Sequence, residues 1–161
     1  MNQSIFKLRS ALEEAIRSWF VSQDIAAITR QNQPANFIQA RPRVEIRCRI
    51  GAATGRRHIC PDGILRFDAW AFDLAINAVT SPDGNQAQNT LHEDYLALIR
   101  SYASSLGGPS CFLDTANFPL HYIAEPVKDG GTDDTLKTEE GVEYSVLTYS
   151  GIFCIRHSAW T

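Results

Sequence analysis

The feature that most constrains this chain is a β-strand pattern between Arg41 and Val79. At its start four apolar side chains alternate with four charged ones, namely Val44, Ile46, Cys48 and Ile50 with Arg43, Glu45, Arg47 and Arg49. Successive side chains of a strand point to opposite faces, so this alternation predicts a half-buried strand with a charged outer face. The remaining segments must then cover this sheet or extend it.

After Gly51 to Gly55 comes a short second run, Arg56 to Cys60. A third run, Ile64 to Val79, is unusually long for one strand. Fully extended it would span roughly 53 Å, well beyond the usual strand of a small domain. A bulge near Asp68 would bring its apolar residues onto one face. We expect a hairpin that projects from the core, and projecting apolar hairpins are typically contact devices.

Two amphipathic helices are predicted, at Ser4 to Phe20 and at Asn89 to Leu106. Both show apolar residues at three- and four-residue steps. Thr90 and Glu93 have capping-box spacing, which places them at the start of the second helix. His92, in the first turn beside Glu93, is expected at the surface.

The other segments complete an α+β fold in one domain, 1–161. Residues 25–28 form either a helical turn or a short strand, and strands are predicted at Pro119 to Ala124 and Val142 to Ile155. The acidic, glycine-rich segment 128–141 is predicted to be a mobile surface loop. We therefore expect a mixed, largely antiparallel sheet of about four to five strands, with the two main helices packed on one face.

Charge is divided unevenly along the chain, whose net charge is −3. Up to Arg66 there are 11 Lys and Arg against 5 Asp and Glu, whereas from Phe67 onward there are 4 against 13. This division fits a nucleic-acid patch, or complementary surfaces that meet between copies of the chain. It also fits two halves that fold against each other and mix their charges on one surface.

No local pattern marks an active site, so the sequence predicts neither an enzyme nor a cofactor. The Cys154–His157 and His58–Cys60 pairs have spacings found in zinc sites, but Cys154 and His157 have opposite strand parity, so we expect no metal. Asp68 and Asp73 also lie on opposite faces of their strand, which disfavours a nuclease dyad. There is no apolar run long enough for a transmembrane helix and no signal peptide, and the four cysteines are expected to be buried free thiols.

The most distinctive polar feature is the arginine-rich strand 41–57. The sequence leaves three alternatives for its guanidinium groups: they are solvated, they dock to the acidic half of a neighbouring copy, or they contact phosphate. The candidate interface comprises the arginines of this strand and two aromatics of the long run: Arg43, Arg47, Arg49, Arg56, Arg57, Trp70 and Phe72. The alternative is a nucleic-acid-binding or nucleic-acid-processing α/β domain that uses the same strand.

The order of elements resembles that of the tail-terminator and tail-completion proteins of long-tailed bacteriophages. The matching features are the helix Ile5 to Phe20, the strand entry Pro42 to Ile46, the run Ile64 to Val79, the helix Leu91 to Leu106 and the strand Tyr149 to Phe153. The resemblance implies a virion protein that forms a homo-oligomeric ring, typically a hexamer, at the head-proximal end of the tail. Its implied partners are the tail tube protein and the head connector proteins, with no membrane.

Overall fold

The computed structural model describes residues 5–29, 42–59, 66–80, 86–106, 121–123, 127–139 and 142–156. Within them lie two helices, α1 (Ile5–Ser22) and α2 (Gln86–Ser105). The strands are β1 (Ala27–Ile28), β2 (Arg43–Ile59), β3 (Arg66–Val79), β4 (His121–Ile123), β5 (Lys128–Glu139) and β6 (Val142–Arg156).

The strands form one mixed sheet in which β2, β3 and β6 are the long central members. The order across the sheet is β1-β2-β3-β6, and β4 and β5 both pair with the far edge of β6 at different ends of it. Six strands thus occupy five lateral positions. Only β1 runs parallel to its neighbour, and the other described pairs are antiparallel.

Both helices pack on the same face of this sheet. The core contains Leu12, Ile16 and Phe20 of α1, Leu96 and Ile99 of α2, and the even-numbered residues Val44 to Cys48 and Phe72 to Ala78 of the sheet. The two helices also touch each other, because the Trp19 ring stacks on Tyr102 with centroids 4.2 Å apart. The predicted α+β fold with two helices on one face is confirmed, and the buried alternation of β2 is the one that the sequence predicted.

A buried carboxylate links α1 to the outer edge of β2. Glu13 is 2% exposed, and its Oε1 accepts a hydrogen bond of 2.8 Å from the backbone N–H of Cys48. The N–H of Val44 points to the same edge, where it donates to the carbonyl of Ala26, the residue before β1, at 2.8 Å. Because β1 pairs only with Val44 and Glu45, Glu13 satisfies a donor that this short strand does not reach.

The projecting hairpin is not confirmed, and the irregularity lies in a different strand from the one expected. From Phe67 to Val79, β3 pairs with β6 in continuous register, so it has neighbours on both sides and no bulge at Asp68. The register shifts occur instead in β2, between Ile50 and Arg57, where the sequence suggested a break between two runs. Despite these register shifts, β2 continues as one strand of 17 residues.

Two local expectations were wrong. The acidic segment predicted as a mobile loop forms β5, because its backbone pairs with β6 despite the weak strand propensity of its Gly and Asp residues. Thr90 is not at the start of α2, which begins at Gln86; its hydroxyl donates to the Gln86 carbonyl at 2.9 Å, an intrahelical bond rather than a capping box.

The contact between Gly151 and Phe72 gives the first test of this packing. A Cβ on Gly151 would lie 2.7 and 2.9 Å from two atoms of the Phe72 ring, which is only 2% exposed, so the buried ring or the strand would have to shift. We expect Gly151→Ala to lower the free energy of unfolding by about 1–3 kcal/mol, measured by urea denaturation.

Gly51→Ala is the matched control, since its added Cβ would meet only the Ala71 carbonyl oxygen at 3.5 Å, an ordinary contact. If both variants unfold at the same urea concentration as the original protein, the close packing of β6 on Phe72 is incorrect.

Candidate functional site

The face of the sheet opposite the helices carries the exposed arginines of β2. Arg47 and Arg49 are exposed there, on the odd-numbered side of the strand. Within the described ranges, neither forms a hydrogen bond or an ion pair. Their guanidinium groups are therefore available to a partner or to solvent, and Asp73 stands across from Arg49 on the neighbouring strand.

These arginines border a half-open depression of about 440 Å³ on the same face. Its lining also includes Asp73 and Ala75 of β3, Gly130 of β5, and Thr148 and Ser150 of β6. Two cross-strand rows run through it: Arg47, Ala75 and Thr148 lie side by side in one, and Arg49, Asp73 and Ser150 in the other. Small side chains in the central strands make the surface concave between the arginines and β5.

The sheet separates the two signs of charge. β2 carries five Arg and one Glu, whereas β5 carries four acidic residues and two Lys. β3 and β6 lie between them, so β2 and β5 are three strand spacings, or roughly 14 Å, apart. This exceeds the Debye length of about 8–10 Å at 0.1–0.15 M salt, so the two charged strands of one chain interact weakly with each other.

Other members of the predicted interface lie elsewhere. Arg43 is buried, and its Nε donates to Glu45 Oε1 at 3.0 Å, so this arginine already has a carboxylate partner. Phe72 is 2% exposed on the helix-covered face, and Trp70 is half-buried against the core. Arg56 and Arg57 belong to the far end of β2, where the structure describes only the backbone. The open face therefore brings together Arg47 and Arg49 but offers no surface at Arg43 or Phe72.

A buried polar cluster involving His92 was missed by sequence reasoning. His92 is 6% exposed rather than at the surface, with Nδ1 2.6 Å from Thr80 Oγ1 and Nε2 3.0 Å from Ser145 Oγ. In either neutral tautomer one ring nitrogen donates and the other accepts, and hydroxyl groups can serve both roles. The cluster joins α2 to the end of β3 and to β6, which no local sequence pattern could have indicated because its members are 12 and 53 positions apart.

The chemistry of this cluster is that of a structural network. Ser145 is 0% exposed and Thr80 is 4% exposed, so neither hydroxyl is open to a substrate in this conformation. Neither residue borders the depression on the open face. The hydrogen bonds therefore fix the position of α2 on the sheet.

Among the residues that the structure describes, no group of three or more His, Cys, Asp and Glu side chains is placed to hold a metal ion. None of the helices described is long and apolar enough to cross a membrane. Cys48 is a buried free thiol, as expected, whereas Cys60, Cys111 and the Cys154 side chain lie outside the described part.

Neither a protein-family model nor a curated protein sequence shows a significant match to this chain. The geometry of the open face and the distribution of charge across the sheet therefore have to carry any functional conclusion.

The His92 cluster gives a prediction about stability. Ser145→Ala takes away the hydroxyl that lies 3.0 Å from Nε2 in a buried site, and we expect a loss of about 1–3 kcal/mol in the free energy of unfolding by urea titration.

Ser104→Ala is the control, because the Ser104 hydroxyl bonds to the Ser101 carbonyl on the exposed side of α2. Its effect should stay within about 0.5 kcal/mol. Equal stability of the two variants would show that the cluster does not hold α2 in place.

Proposed function

We propose that this chain is a structural assembly protein that forms a closed ring of identical subunits. The observation that carries the proposal is the placement of a basic strand, β2, and an acidic strand, β5, at well-separated positions of one sheet. A contact between unlike patches on successive copies is heterologous, and it closes into a ring when the rotation between copies allows.

The open face supports this proposal. A face of a sheet without helices is common in antiparallel proteins, so openness alone does not require a partner. The more specific feature is the pair Arg47 and Arg49, exposed without a counter-ion among the described residues and too far from β5 of the same chain to be neutralised by it. A neighbouring copy supplies the missing negative charge.

The place of such a ring follows from the resemblance in element order. An opening helix, two long paired strands, a second helix and a long closing strand suit a tail-terminator or tail-completion protein of a long-tailed phage or prophage. On this proposal the ring, most simply a hexamer, ends the tail tube at its head-proximal side and contacts the head connector. The protein would then be recovered with phage particles purified on a density gradient.

A second candidate, binding of nucleic acid by β2, is favoured by the same two exposed arginines, because guanidinium groups suit phosphate. Asp73 stands opposite Arg49 across the β2–β3 pair, and the acidic β5 borders the depression at Gly130. A phosphate backbone that lies across the whole face would meet both of them, whereas a single carboxylate beside Arg47 stays one row away from Asp73. We therefore place nucleic-acid binding second.

A salt series tests the assembly proposal. Multi-angle light scattering of the purified protein should give a multiple of the 17.9 kDa chain mass at low salt. The mass should fall towards that of the monomer as salt approaches about 1 M, where the Debye length is about 3 Å.

A monomer at every salt concentration would contradict the proposal. If that monomer also bound duplex DNA, with an affinity that decreases steeply as salt rises, the nucleic-acid candidate would replace it.

A further inference from the structure

We propose that the depression on the open face receives the acidic strand β5 of a neighbouring copy, with a carboxylate seated beside Arg47. This inference rests on the proposed function and specifies the contact that would build the ring. It assigns the main role to Arg47 rather than to the arginine-rich strand as a whole.

The two cross-strand rows of the depression differ in charge. In the first row Arg47 lies beside Ala75 and Thr148, and no acidic residue stands in that row. In the second row Arg49 lies directly opposite Asp73, at a position where Cβ atoms are about 4.5–5.5 Å apart. Lys128 of β5 pairs with Ser150 and so stands at the far end of the second row, but Asp73 is much closer to Arg49 and partly offsets the positive potential there. The first row is therefore the more favourable place for an incoming carboxylate.

The shape of the depression favours the same row. Ala75 leaves space above the middle of the sheet, between Arg47 on one side and Thr148 on the other. Arg47 can donate two parallel N–H bonds to one carboxylate. A carboxylate above Ala75 would therefore lie beside the guanidinium group of Arg47 without meeting a large side chain of β3.

The occupant is identified by charge and by position in the sheet. β5 is the most acidic strand, with Asp129, Asp133, Asp134 and Glu139 among its 12 residues. It pairs with β6 on one side only among the described strands, so it lies at an edge of the sheet. Because β5 and β2 of one chain are roughly 14 Å apart, the contact has to form between copies.

A charge-reversal experiment tests this pairing. The basic variant is Arg47→Glu, the acidic variant is Asp133→Lys with Asp134→Lys, and the third protein combines all three changes. We expect each of the first two to weaken self-association about tenfold or more, measured by light scattering over a dilution series. The combined protein should regain association, because the two reversed patches are again complementary.

The different charges of the two rows predict an order of effects that total charge does not. Arg49→Glu should weaken association less than Arg47→Glu, and Asp73→Asn should strengthen it. Arg100→Glu, on the exposed side of α2, changes net charge by the same amount away from this face and should leave association unchanged. Circular dichroism of each variant shows whether it is folded.

The outcomes separate this inference from the proposed function. If the original protein associates and neither reversal weakens it, the β5 contact is wrong while the ring proposal stands. If the original protein does not associate at all, both fail. If Arg47→Glu abolishes binding of duplex DNA and leaves association unchanged, the depression holds nucleic acid instead of a neighbouring copy.

Discussion

The packing of both helices against a single face of the sheet is the constraint on which the rest of the structure depends. It follows from the alternation along β2, where Val44, Ile46 and Cys48 are buried and Arg47 and Arg49 are exposed. Gly151 allows the Phe72 ring to pack against β6. Glu13 of α1 accepts a hydrogen bond from the Cys48 backbone N–H at the edge of β2. Because the apolar face of the sheet is covered by the two helices, the opposite, charged face contacts solvent or a partner.

The order of the strands places the basic and the acidic segments of the sequence at separate positions on the sheet. Strands β3 and β6 separate the basic β2 from the acidic β5 by roughly 14 Å. At physiological salt the opposite charges of β2 and β5 therefore interact only weakly within one chain. Arg49 and Asp73 bring charges from the two halves of the chain together on one surface, whereas β2 and β5 as whole strands lie apart. Complementary patches at a distance are the arrangement that favours head-to-tail contact between copies, and this is the physical basis of the ring proposal.

Much of the fold was predictable from periodicity, because both helices and the half-buried faces of β2 and β3 depend on local spacing. Features that depend on distant partners were not predictable. His92 meets Ser145 from 53 positions away, and β5 owes its strand structure to pairing with β6. The burial of Arg43 was not predictable either: it has the same parity as the exposed Arg47 and a partner only two positions away, Glu45, yet it is 4% exposed. For the candidate site, the sequence indicated the arginines of β2, but only the register of three strands distinguishes Arg47 from Arg49.

The central claim is that β2 of one copy meets β5 of the next. Electron cryomicroscopy of the assembled protein tests it most directly, because a map that resolves strands shows which edges and faces are in contact. The account predicts a closed ring in which the depression at Arg47, Ala75 and Thr148 is occupied by β5 of the adjacent subunit. A ring in which like strands face each other across a two-fold axis, or in which this depression is open to solvent, would contradict it.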